Sequence, residues 1–130
     1  MTIANYCVLA ACLLPTLTAG LAKAGSAKQP LREGGYDNRS PREWAARLGG
    51  WKARAIAAQL NGFEALPLFI AAVLMAQQAQ ADQARIDLLA MTFIALRLAY
   101  VASYLMNLGS VRTLIWTAAV ASNIALLLMA

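Results

Sequence analysis

The sequence predicts an all-α membrane protein, a bundle of four transmembrane helices, on three observations: its apolar content, the placement of its few charges and the lengths of chain between them. Of 130 residues, 61% are hydrophobic and only 13% are charged. A water-soluble domain of this size needs charged faces throughout and has no interior large enough to hide so much apolar surface. The charges concentrate between Lys23 and Arg54. Outside that stretch there is none before Lys23, Glu64 alone between Arg54 and Asp82, Arg97 alone between Asp87 and Arg112, and none after Arg112. Each gap supplies the roughly 17 to 25 apolar residues that cross a hydrocarbon core. The whole chain, residues 1–130, reads as a single membrane domain.

The first helix is expected over about residues 2–24. It lacks the basic start of a signal peptide and is read as retained, although Leu21-Ala22-Lys23-Ala24-Gly25 imitates a cleavage region. Cys7 and Cys12 lie five residues apart on it and point to different sides, a poor spacing for a metal pair or a disulfide; they read as small apolar residues. With no histidine anywhere, imidazole ligands and histidine bases are excluded, and no metal site is expected. Residues 25–40 hold Gly, Ser, Pro, Asp and Asn and read as an irregular polar loop. In Ser40-Pro41-Arg42-Glu43 the serine can cap, proline suits the first helical position and glutamate completes a capping box. The second helix is therefore expected over 41–76, about 52 Å long and projecting beyond the bilayer. Pro67 should kink it and free the Phe63 carbonyl beside Glu64. The third helix is expected over 84–106 and the fourth, after the turn Asn107-Leu108-Gly109-Ser110, over 111–129.

Eight of the 11 basic residues (Lys23, Lys28, Arg32, Arg39, Arg42, Arg47, Lys52, Arg54) lie in or beside the first loop. That asymmetry places the 25–40 loop in the cytoplasm, with both termini and the Asp82/Arg85/Asp87 loop on the opposite side. The formal charge of +5 thus reports membrane orientation, and a nucleic-acid partner is set aside.

Ionisable residues inside spans cost several kcal/mol and need partners. Arg97 lies about 13 Å in from Met106 and Glu64 about 15 Å in from Arg54 at the helical rise, so a Glu64–Arg97 ion pair is expected. Arg54, Asn61 and Glu64 follow i, i+7, i+10, while Arg97, Tyr100 and Tyr104 follow i, i+3, i+7; each set shares a helix face. The two stripes define a cleft open toward the cytoplasm, with Arg112 at its mouth. A cationic rim over an aromatic interior suits an anionic, amphipathic ligand. The plainer alternatives are a structural charge pair, interfacial tyrosines and positive-inside arginines. Trp44, Trp51 and Trp116 read as interface or packing residues.

These residues resemble the membrane-associated proteins in eicosanoid and glutathione metabolism, the MAPEG family. The most specific parts are Asn61-Gly62-Phe63-Glu64-Ala65-Leu66-Pro67-Leu68-Phe69 and Arg97-Leu98-Ala99-Tyr100-Val101-Ala102-Ser103-Tyr104. Tyr36-Asp37-Asn38-Arg39-Ser40-Pro41-Arg42 looks like the bacterial branch, which implies a bacterial inner membrane. The resemblance implies a homotrimer that binds glutathione between neighbouring subunits. It assigns Arg54, Gln59, Asn61, Glu64, Arg97, Tyr100 and Tyr104 to the tripeptide site, Arg112 to stabilising the glutathione thiolate, and Lys23 to a basic position at the end of the first helix. The chain departs from many glutathione-using members at Ala57, where they carry arginine, and at Ala65, where some carry tyrosine.

The function this implies is a glutathione-dependent transferase or peroxidase acting on lipophilic electrophiles or lipid hydroperoxides. The alternative within the same fold is a non-enzymatic lipid-binding or scaffold protein. A small multidrug exporter, also built from four short spans, would use a membrane carboxylate in its first helix, and this first helix has none.

Overall fold

A computed structural model describes all of residues 1–130 as helices joined by short connections. Four are long and apolar enough to cross a membrane: α1 (Ile3–Ser26), α3 (Gly50–Gln78), α4 (Gln83–Leu105) and α5 (Gly109–Leu127). The chain is an integral multi-pass membrane protein. Between α1 and α3 lie a single 3-10 turn, Leu31–Glu33, and a short helix α2, Pro41–Ala46. The expectation of one helix over 41–76 is corrected here. Pro41 does stand at the first helical position, but the Ser40 side chain makes no capping bond, and the helix stops after six residues. The cause lies at Gly49-Gly50: Gly50 has φ +61, a left-handed conformation that glycine adopts freely and a continuous right-handed helix does not contain. The break turns α2 so that Trp44 is buried, with Ala22 and Ala55 in the same apolar cluster. The Trp44 Nε1–H donates to the Gly34 carbonyl at 3.2 Å, and its ring meets Tyr36 edge-on at 4.9 Å. A folded cap of loop, turn and short helix thus covers one end of the bundle. Through Pro67, α3 runs on as one helix.

Small residues face inward and large ones outward, the reverse of a soluble protein. On α1 the buried positions are Ala4, Cys7, Ala11, Pro15, Thr18, Ala19, Ala22 and Ser26, whereas Leu9, Leu13, Leu17 and Leu21 are exposed. In lipid the outward leucines cost nothing, and small inward residues let helix backbones approach closely. One such close approach is at Gly62, where an added Cβ would lie 2.8 Å from Pro15 Cγ. Deeper in the bundle Phe69 and Phe93 stack with centroids 4.0 Å apart.

Polar bonds tie the helices at both ends. At the end holding the termini, Asp87 Oδ1 accepts from the Ala4 amide and from Gln83 Nε2, both at 2.8 Å. Gln77 Nε2 donates to Thr2 Oγ1 and Asn5 Oδ1, both at 3.0 Å. At the opposite end, Arg54 donates from Nε and Nη2 to the Leu105 carbonyl at 3.3 and 3.2 Å. That carbonyl belongs to the last turn of α4 and has no partner within the helix.

Candidate functional site

Three of the long helices enclose a cavity of about 190 Å³. From α3 come Asn61, Glu64, Ala65 and Leu68; from α4, Phe93 and Arg97; from α5, Trp116, Ala119, Val120 and Asn123. The helical period brings each group onto one wall, since residues three, four, seven and eleven apart recur on one face. Arg97 is only 3% exposed. It also borders a narrow cleft of about 10 Å³ against Pro15 and Gly62, too small to hold more than about one water.

The expected Glu64–Arg97 ion pair does not form. The chain's ion pairs are Arg39–Asp37 and Arg85–Asp82, both at the surface. Glu64 lies on the exposed part of α3, while the Arg97 guanidinium carbon sits 4.3 Å from the Tyr100 ring centroid. Matched depth left open the direction in which each side chain points round its helix. Both groups nevertheless line one cavity. The acid and the cation are therefore free to engage a third party.

From Arg97 a ladder of rings and cations runs toward the capped end. Tyr100 is buried and meets Tyr104 edge-on at 5.8 Å, with the ring planes at 76°. The Arg112 guanidinium carbon lies 4.1 Å from the Tyr104 centroid. A cation over an aromatic face gains about 0.5–1 kcal/mol at an exposed site and about 2 when desolvated. Here the rings give two guanidinium groups fixed seats without neutralising them. The cavity thus has one cation, Arg97, two carboxamides and an acid on its walls with an apolar remainder, and the aromatic rail leads from that cation to a second one, Arg112. Such a lining can hold an anionic amphiphile and stabilise negative charge on it.

Of the residues singled out in the sequence, Tyr100, Tyr104 and Arg112 lie along the ladder rather than on the cavity wall, and Arg54, Gln59 and Lys23 lie elsewhere. Arg54 spends its guanidinium on the α4 C-terminus. Gln59 lines a separate groove of about 480 Å³ with Lys23, Arg42, Trp44 and Phe63; two residues before Asn61, it turns about 200° away from it on the helix. One chain does not bring Gln59 and Lys23 to Arg97. Two cavity residues escaped the sequence reading. Asn123 is a buried polar residue of the last span, and Trp116, whose type suggests an interface or packing role, lines the cavity with it. The signal for both was Arg112, Trp116, Asn123 at i, i+4, i+11, one stripe of α5.

A model of the MAPEG family matches residues 3–130, nearly the whole chain. No curated protein and no solved structure matches significantly.

Proposed function

The chain belongs to the MAPEG family, a family of glutathione and eicosanoid metabolism, and from that premise we propose that it is a membrane-embedded glutathione-binding enzyme, a transferase or peroxidase for lipophilic substrates. The observation that carries this reading is the ladder Arg97, Tyr100, Tyr104, Arg112 beside a cavity that also holds Asn61 and Glu64. Glutathione offers carboxylates to guanidinium groups, an amine and amide N–H groups to Glu64 and the Asn61 carbonyl, and a thiol that must be deprotonated to react. A guanidinium beside the sulfur favours the thiolate, which is the nucleophile. Arg112, at the far end of the ladder from Arg97, is the residue assigned that task.

Two outcomes follow from one thiolate. In transfer, sulfur bonds to an electrophilic carbon and the leaving group departs with the electron pair. In peroxide reduction, two thiols become one disulfide while the hydroperoxide is reduced to an alcohol and water. Both substrates are lipophilic and reach the cavity from the bilayer.

The assembly belongs to the same proposal. Gln59 and Lys23 lie in the groove on another side of α3, where a second copy of the chain can present them to the first copy's cavity; a homotrimer repeats this contact three times. The basic cap, with eight of the 11 cations in or beside it, faces the cytoplasm of a bacterial inner membrane, and glutathione enters from that side.

Calorimetric titration of glutathione into the detergent-solubilised protein tests the reading. Binding is expected for the wild type, with Glu64→Gln and Arg97→Ala each weakening it by about tenfold or more, the scale of a lost charge-assisted hydrogen bond. No heat of binding at millimolar glutathione would sink the proposal. The non-enzymatic reading is favoured by one observation: Ala65, which lines the cavity, offers no hydroxyl. Binding without turnover of any electrophile or hydroperoxide would select it.

A further inference from the structure

The inner end of the cavity between α3, α4 and α5 is not used by the glutathione reading. Asn123 stands there, 2% exposed, lining the cavity, with its side-chain oxygen lacking any hydrogen-bond partner. Its neighbour shows that this is not forced by the helix: the Ser122 hydroxyl donates to the Ala119 carbonyl at 2.7 Å. The Asn61 oxygen, on the same cavity, is also unpartnered. Carbonyl oxygens cannot donate to one another, and a buried acceptor without a donor is costly, so the cavity calls for a molecule that brings O–H or N–H. Ala65, Leu68, Phe93 and Val120 supply the apolar remainder of the wall. The volume, about 190 Å³, equals about six waters in the liquid, enough for a compact organic group.

We propose that the inner end of this cavity binds the hydroxyl group of a lipophilic molecule, which donates its O–H to the Asn123 side-chain carbonyl. Leu68 of α3 and Trp116 of α5 line the cavity and are 38% and 43% exposed, so a lipophilic molecule can reach it from the bilayer. Asn123 and Arg112 share a face of α5 but lie about 16 Å apart along its axis. A group held at Asn123 is therefore an anchor, set apart from any atom that reacts beside Arg112, and it selects extended substrates that carry a hydroxyl remote from the reactive end. The assignment rests on the glutathione reading for its place in a reaction and on the cavity alone for binding.

The test compares 4-fluorobenzyl alcohol with 1-ethyl-4-fluorobenzene, matched in shape and differing in the O–H. Binding is followed by fluorine NMR on the full-length protein in detergent, corrected for partition into protein-free micelles. Wild type is expected to prefer the alcohol by about fivefold or more, the value of one hydrogen bond. Asn123→Leu, similar in size, should abolish the preference, and so should Asn123→Ala. Thermal unfolding shows which variant is folded, and either suffices. Equal wild-type affinities, or a preference that survives in a folded variant, would overturn the proposal. Glutathione calorimetry on the same samples separates the two readings. A hydroxyl preference without glutathione binding sinks only the thiol chemistry, and glutathione binding without the preference sinks only the Asn123 site.

Discussion

Arg112 sits on the first turn of α5, where the helix dipole is positive and a cation is least comfortable; the Tyr104 ring at 4.1 Å is what holds it. Under the thiolate assignment, Arg112→Ala should lower turnover of 1-chloro-2,4-dinitrobenzene by about 100-fold or more, the cost of removing one preorganised charge stabiliser. Unchanged turnover in a folded Arg112→Ala protein would remove Arg112 from the chemistry. Tyr104 acts through Arg112, so a ring without its hydroxyl should suffice: Tyr104→Phe keeps activity, whereas Tyr104→Leu loses about fivefold, the worth of one cation–ring contact. If Phe and Leu behave alike, the ring is not the seat. At this scale the sequence was a partial guide. It supplied the depth of Glu64 and Arg97, because helical rise is constant, but not the direction of either side chain, which depends on how the helices rotate against one another. It placed Tyr100, Tyr104 and Arg97 on one face by spacing alone, and the same rule applied to α5 would have found Asn123.

Among the elements, the four spans were legible because charge is excluded from lipid and the gaps between charges measure the spans directly. The break between α2 and α3 was not, since Ser40-Pro41-Arg42-Glu43 marks where a helix starts but not how far it runs, and the left-handed Gly50 is a conformation that a glycine permits but does not announce. Trp44 is the keystone of the cap. Trp44→Ala should leave the four spans intact yet speed tryptic cleavage at Arg32, Arg39, Arg42 and Arg47, read by mass spectrometry of the digest. Cleavage at the wild-type rate would show that the cap stands without it. The contact between α1 and α3 makes a second test. A side chain at Gly62 meets Pro15 at 2.8 Å, and the rigid proline ring cannot swing aside. Gly62→Val should destabilise the protein by about 1–3 kcal/mol through overpacking, seen as a lower thermal unfolding midpoint in detergent. An unchanged midpoint would mean that the helices separate freely there.

The whole molecule has its candidate residues on two surfaces, and that split predicts an outcome a self-contained site cannot give. Arg97→Ala removes the cavity's cation, and Gln59→Trp fills the groove; each alone should lose glutathione binding. Co-expressed, they form assemblies in which an intact groove meets an intact cavity, and calorimetry should show binding restored to a fraction of the sites. No restoration would place the site within one chain. The helical period already sets Gln59 about 200° from Asn61; the side of α3 that faces the cavity was not legible, because it depends on how the helices pack.

The polar bonds at the two ends of the bundle carry a mechanical consequence. Asp87 and Gln77 pin α1, α3 and α4 together beside the termini, and Arg54 pins α3 to α4 beside the cap, while the middle is held by apolar packing alone. Of the four spans α3 and α4 are the pair fastened at both ends, so these two cannot fan apart like the fingers of a hand; they can only bow, as barrel staves do between hoops. Widening is then greatest at mid-height, beside Phe93 and Arg97, and it closes again without a change of partners at either end.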